Sequence, residues 1–221
     1  MKVAVIGGGP AGILLVAELY LKFEQKMNNN NYYEIMWYDN ENFLSGMMNK
    51  YEVPSNTKMD YLDEKLGFFE RSPIGVLARV YPEIQKSINL VRANSLCTPS
   101  IIEHFDPSEG GWPKLKDMRN LFIEIANVLK RTNIVKHRNG KVYRCVKNKD
   151  TSLWTVHYGD KKDKTMDTNI ELNSFCCGGK PASFLDDKIK RLTNNATNII
   201  HMEDALSCKR LKKIVNQNDI V

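Results

Sequence analysis

A chain of 221 residues is long enough for one α/β domain, or one domain with a small appendage. Apolar residues at 42% and charged residues at 26% exclude collagen-like, disordered and coiled-coil classes. The net charge is +6, and its excess sits in one place: residues 136–165 hold 9 Lys/Arg against 3 Asp/Glu, whereas residues 1–135 hold 15 against 16.

No apolar run reaches the roughly 18–20 residues that span a bilayer. The longest, Ile13 to Ala17, is followed at once by Glu18, so no membrane partner is expected. The opening MKVAVIGGG runs into a glycine loop instead of a cleavage site. The five cysteines, Cys97, Cys145, Cys176, Cys177 and Cys208, are odd in number and form no CxxC. That disfavours a disulfide framework or a zinc ribbon and points to a reduced, cytoplasmic protein. The basic segment could meet nucleic acid or phosphate. Its lysines flank turns, however, so it reads as a solvated hairpin rim, and no nucleic-acid partner is expected.

Lys2–Ile6 reads as a short buried strand, Gly7–Gly12 as a tight turn, and Ala11–Met27 as a helix whose apolar surface includes Leu14, Leu15, Ala17, Leu19, Leu21 and Phe23. Asn28–Asn31 is a polar loop. Glu34–Tyr38 is a second strand, ending at Asp39. Phe43–Tyr51 is a loop containing Gly46, and Met59–Phe69 and Pro82–Val91 are short helices. Ser108–Pro113 is a turn. Asp117–Arg131 is an amphipathic helix with Leu121, Ile125 and Val128 at helical spacing and Asp117 as its N-cap. The period then changes from helix to strand: Lys141–Val146 and Leu153–Tyr158 alternate as two strands of a hairpin, and Ile170–Phe175 is a further strand. Asn198–Met202 is a last short strand and Asp204–Val215 a lysine-rich surface helix. The expected fold is α/β: a Rossmann-like parallel sheet with helices and an inserted antiparallel β-hairpin over 141–158. Residues 1–221 form a single domain in which 40–116 is a loop and helix insertion.

Val3-Ala4-Val5-Ile6-Gly7-Gly8-Gly9-Pro10-Ala11-Gly12 satisfies G-x-G-x-x-G, with a strand before it and a helix after it. In such a turn Gly7 lets the chain leave the strand sharply, Gly9 lets backbone N–H groups approach a pyrophosphate, and Gly12 lets helix and strand pack closely. The helix N-terminus supplies about half a positive charge and N–H donors that suit a diphosphate. Asp39 closes the second strand, where a carboxylate can accept from ribose hydroxyls. It lies 27 residues after Gly12 against about 20 in the usual spacing, and the Asn28–Asn31 loop absorbs the difference.

The GGGPAG turn, with Pro10-Ala11, resembles the FAD-binding half of the two-dinucleotide flavoproteins, the group of glutathione-reductase-type enzymes and flavin monooxygenases. Asp39 to Gly46, with Phe43 between them, is similar to the acid-loop-glycine segment of that group. Gly140-Lys141-Val142 resembles the G-x-V that opens its β-hairpin, where a valine backbone meets adenine. Phe175-Cys176-Cys177-Gly178-Gly179-Lys180-Pro181 sits where the group carries A-T-G-x-x-P facing the cofactor. In relatives of the monooxygenase type, the loop equivalent to Val53–Lys58 places an Asn near the flavin ring, which nominates Asn56. The cofactor-binding set implied is Gly7, Gly9, Pro10, Ala11, Gly12, Asp39, Gly46, Asn56, Val142 and Gly178.

The resemblance implies FAD as cofactor and a flavin-dependent oxidoreductase, monooxygenase-like, with NAD(P)H as co-substrate. Cys176-Cys177 replaces the Ala-Thr of the group's motif. The second glycine fingerprint for NAD(P)H is absent, so a partner chain or further segment carrying an NAD(P)-binding domain is expected. The alternative is a nucleotide-binding fragment or subunit without turnover, and an NAD(P)-only enzyme ranks third. No side chain stands out as a catalytic acid or base. Tyr61-x-x-x-Lys65 reads as a coincidence on a helix surface. The scattered His104, His137, His157 and His201 leave no metal site expected.

Overall fold

The computed structural model of the chain describes residues 1–27, 32–39, 57–95, 111–159 and 164–176. The loop at 28–31, Gly46, Asn56, Gly178, and the strand and helix expected after residue 197 lie outside them. β1 (Lys2–Ile6) leads through the glycine turn into α1 (Pro10–Lys26) and back to β2 (Glu34–Asp39). One π-helical turn (Tyr61–Lys65) precedes three helices, α2 (Pro73–Val80), α3 (Pro82–Ala93) and α4 (Leu115–Lys130). β3 (Val135–Asn139), β4 (Val142–Lys147), β5 (Trp154–Gly159), β6 (Lys164–Ile170) and β7 (Leu172–Phe175) follow.

Four strands form a parallel sheet in the order β3-β2-β1-β7, and β4-β5-β6 form a separate antiparallel sheet. This is the expected α/β architecture, built in three layers. Side chains alternate across the parallel strands. Val3, Val5, Ile35, Trp37 and Val135 face the helical layer. Ala4, Ile6, Met36 and Tyr38 face Val156, Tyr158 and Ile170 of the antiparallel sheet. With both faces covered, β1 and β2 are apolar throughout their centres, as parallel strands require. Tyr38 and Arg138, register partners on the parallel sheet, both reach Asp167 on β6. The Tyr38 hydroxyl donates to Asp167 Oδ2 at 2.9 Å and Arg138 Nε at 3.1 Å, which ties the two sheets together.

Several boundaries differ from the expected ones. The 141–158 hairpin gains a third strand, β6, whose sequence KTMDTNI buries only Ile170. β3, VKHRN, is an edge strand with one fully buried side chain, Val135. α2 is a helix that hydrophobic spacing did not mark; Ser72 caps it, its Oγ accepting from Ile74 N at 3.1 Å, and Pro73 occupies the first turn. α2 and α3 bury Ile74, Leu77, Ile84, Ile88 and Val91 in the same core as β1 and β2. α4 is capped at Lys114, not at Asp117. The acid sits inside the first turn, where it still complements the helix dipole. α1 begins at Pro10, so Gly12 lies inside the helix. Ile13, Val16, Ala17, Tyr20 and Phe23 are its fully buried positions, with Leu14, Leu15, Leu19 and Leu21 partly buried around them.

Candidate functional site

Ile6, Asp39, Asn139 and Phe175 end the four parallel strands at one edge of the sheet. β1 connects to β2 on one side while β7 pairs on its other side, so the crevice beyond Ile6 is a point where strand order reverses, the usual ligand position in open α/β sheets. The glycine turn fills that crevice. Gly7 has φ 123°, a conformation that side chains rarely adopt. Two hydrogen bonds to β2 clamp it: Gly7 N donates to Tyr38 O at 2.9 Å, and Trp37 Nε1 donates to Gly7 O at 3.0 Å. Trp37 is a turn-holding residue that the motif does not disclose.

The next glycines do three different things. A Cβ on Gly12 would lie 2.0 Å from Gly7 O, so the helix can approach the turn only without a side chain there. A Cβ on Gly8 would lie 2.0 Å from Asp39 Oδ2, so the carboxylate rests directly on the Gly8 backbone. A Cβ on Gly9 would meet nothing within 4 Å. Gly9 is in extended backbone (φ −76°, ψ 176°) and is the N-cap of α1, where a glycine offers no side chain to cap the helix. Pro10 takes the first helical position, and Ala11 is exposed. The result is an open backbone cradle at a helix N-terminus with a carboxylate beside it. Its donors and dipole suit a diphosphate, and Asp39 suits a vicinal diol.

Asp39 does not stand alone. Its carbonyl accepts from Gly140 N at 2.9 Å, which brings the opening of β4 to the end of β2. Val142 pairs with Tyr158 and packs on the core between the two sheets. Lys130, at the end of α4, feels the Asp39 charge: burial pushes the ammonium below its usual range and Asp39 offsets part of that. Burial, reinforced by Lys130, pushes the His137 imidazole down to about 4. Lys130 and His137 were not among the expected site residues. The end of α4 brings Lys130 near Asp39, and β3 sets His137 beside Lys130.

At the other flank of the turn, Cys176 N donates to Ile6 O at 2.8 Å, and Cys176 Cβ packs against Gly12. The thiol is half-buried between β7 and α1. Lys58 lies over the Trp112 ring, 5.4 Å from its centroid. A cleft of about 480 Å³ lined by Tyr20, Glu24, Tyr81, Glu83 and Arg131 lies at the opposite end of the sheet and does not touch the glycine turn. It is of ligand size. The turn, by contrast, combines an open cradle, a helix N-terminus and an aligned carboxylate, which together specify a ligand chemistry.

No protein-family model and no curated protein sequence matches the chain. Solved structures match it at low identity. A flavoprotein/dehydrogenase from Cytophaga hutchinsonii is 14% identical, with 90% of this chain and 44% of that one covered at a TM-score of 0.43. Tmm from Pelagibacter sp. strain HTCC7211 is 17% identical over 79% of this chain and 36% of that one, at 0.42. The S-allyl-L-cysteine S-oxygenase of Allium sativum is 12% identical over 80% and 36%, at 0.41. The chain thus spans less than half the length of these structures, and at such overlap its own glycine turn and Asp39 must carry the functional reading.

Proposed function

We propose that this chain is the FAD-binding domain of a flavin-dependent oxidoreductase, monooxygenase-like, that draws on NAD(P)H. The observation that carries the reading is the cradle: Gly9 open to a ligand, α1 with a glycine N-cap that has no side chain to cap it, and Asp39 seated on Gly8 beside it. The residues present fit the ADP half of FAD. The Gly9–Gly12 backbone at the head of α1 would hold the diphosphate, and Asp39 would accept from the adenosine ribose. The resemblance of the GGGPAG turn to flavoproteins selects FAD over NAD, and the antiparallel sheet opening at Gly140-Lys141-Val142 agrees with it.

When bound, the isoalloxazine would supply the redox chemistry, and this chain would bind and orient it. One glycine fingerprint accounts for one dinucleotide. NAD(P)H is therefore assigned to a partner chain or further segment that carries its own binding domain. Calorimetry with FAD, FMN and ADP-ribose, together with the visible spectrum of the purified protein, tests the reading. FAD and ADP-ribose should bind and FMN should bind far more weakly, because FMN lacks the adenosine that the turn and Asp39 address. FMN binding as tightly as FAD would refute it, and a protein that binds NAD but not FAD would return it to the nicotinamide class.

A further inference from the structure

The antiparallel sheet has an inner face, packed on the parallel sheet through Val156, Tyr158 and Ile170, and an outer face that nothing described in this chain covers. Register places Arg144 of β4 and Met166 of β6 on either side of His157, and Val146 opposite Thr155. Directly opposed residues share a face, so these five lie on the outer side. The β4 register shifts between Val142 and Arg144. That irregularity turns Tyr143 outward as well, its ring 6.1 Å from that of His157. Tyr143 is 48% exposed, Val146 37% and Met166 60%. Three large apolar side chains thus stand on one solvent face of a small sheet, and a rim of solvated lysines does not account for them.

The charge around them is mostly positive, with Asp150 in the β4-β5 turn as the exposed acid among the described residues of that segment. Lys141, Arg144, Lys149 and Lys164 are all exposed, and among the described residues none of the four takes part in an ion pair, whereas Lys147 pairs with Trp154 and lies over its ring on the inner side. They belong to the segment that holds the chain's whole positive excess. We propose that the outer face of β4-β5-β6 docks a protein partner whose contact surface is acidic at its edge and apolar at its centre. Tyr, Met and Arg are the residue types enriched in protein interfaces, and a charged rim around an apolar middle is their ordinary anatomy. A single-stranded nucleic acid would want a row of aromatic platforms; this face exposes one, Tyr143, beside the aliphatic Val146 and Met166.

Three strands spaced at ~4.8 Å and six residues long at ~3.4 Å each give a footprint of ~300 Å². With its rim the face belongs among transient contacts that bury less than about 1,200 Å² in total. Basic steering then sets the encounter rate and makes it fall with salt. The proposal concerns a surface away from the glycine turn and stands whether or not FAD binds there.

The test uses the full chain and a defined acidic-aromatic polypeptide, the random copolymer poly(Glu,Tyr), with poly-Glu and an oligo-dT strand as competitors. Poly(Glu,Tyr) should bind about tenfold more tightly than either, and its binding should weaken as salt rises. The pair Arg144→Glu/Lys164→Glu should weaken it about tenfold and Met166→Ser about threefold, with melting curves unchanged. The pair Lys65→Glu/Lys86→Glu, an equal change of charge among exposed residues of the helical layer, should leave it unchanged. Equal loss in both charge pairs would reduce the effect to net charge and overturn the proposal. So would indifference to Met166→Ser, or oligo-dT binding as tightly as the copolymer.

Discussion

Replacing Gly9 or Gly12 by alanine should separate folding from ligand binding within one turn. At Gly12 the new Cβ would stand 2.0 Å from Gly7 O and 3.0 Å from Gly7 C, and both are backbone atoms that cannot rotate away. Helix or turn must shift by roughly an ångström, and overpacking of that kind costs about 1–3 kcal/mol. Gly7 O also accepts from Trp37 Nε1, and losing that bond adds about 0.5–1.5 kcal/mol. A domain of this size loses about 2–4 °C of melting temperature per kcal/mol, so Gly12→Ala should melt about 5–15 °C lower. At Gly9 nothing lies within 4 Å and φ is −76°, so Gly9→Ala should stay within about 0.5 kcal/mol of the parent. It should nevertheless lose FAD, because the methyl group occupies the approach to the backbone donors. One charge-assisted hydrogen bond, worth about 1.5–3 kcal/mol, corresponds to a loss of about 10–150-fold in affinity. Thermal melts of the unliganded proteins and titration with FAD and ADP-ribose read the two effects separately. Gly9→Ala melting as low as Gly12→Ala, or binding FAD as the parent does, would refute this division of roles.

Asp39→Ala should weaken FAD and ADP-ribose alike, by about 10–150-fold for each hydrogen bond lost, measured by calorimetry. An unchanged dissociation constant would place the ribose elsewhere. Gly8→Ala should reproduce that loss, because its Cβ would displace the carboxylate; binding unaffected by Gly8→Ala would show that Asp39 acts from another position. The His137 imidazole, held down to about 4 against about 6.5 in the unfolded chain, takes up its proton on unfolding throughout the intervening range. Its contribution is therefore fully present above pH about 6.5 and is lost as pH falls towards about 4. His137→Gln should flatten the fall in melting temperature across that window, and an unchanged pH profile would show that other groups dominate it.

What the sequence discloses here is what is local or buried. The β1-turn-α1-β2 unit could be read directly, because Val3–Ile6 and Ile35–Tyr38 are buried on both faces and the glycines sit at fixed spacing between them. β3 and β6 escaped for one shared reason: each buries a single side chain, so neither carries the alternating apolar residues by which a half-buried strand is read. Lys136, Arg138 and Asn139 in β3, and Lys164, Asp167 and Asn169 in β6, hide their period behind polarity. α2 carried a readable signal in Ser72-Pro73, an N-cap followed by a first-turn proline, which hydrophobic spacing alone does not weigh.

The site divides along the same line. Gly7 and Gly12 touch each other across five residues, and a motif can hold that relation. Gly8 against Asp39 is set by β2 returning beside β1, Lys130 near Asp39 by where α4 ends, and Cys176 against Gly12 by β7 pairing with β1. Each of these contacts joins residues far apart in the chain through strand order, which no local period encodes. The middle glycine of Gly7-Gly8-Gly9 is the one hint that was present: the motif needs only the first and last of the three, so Gly8 asks for a second reason. Asp39 supplies it. A carboxylate seated on a glycine backbone is held by shape as much as by charge, which ties the position of the Asp39 carboxylate to the absence of a single methyl group.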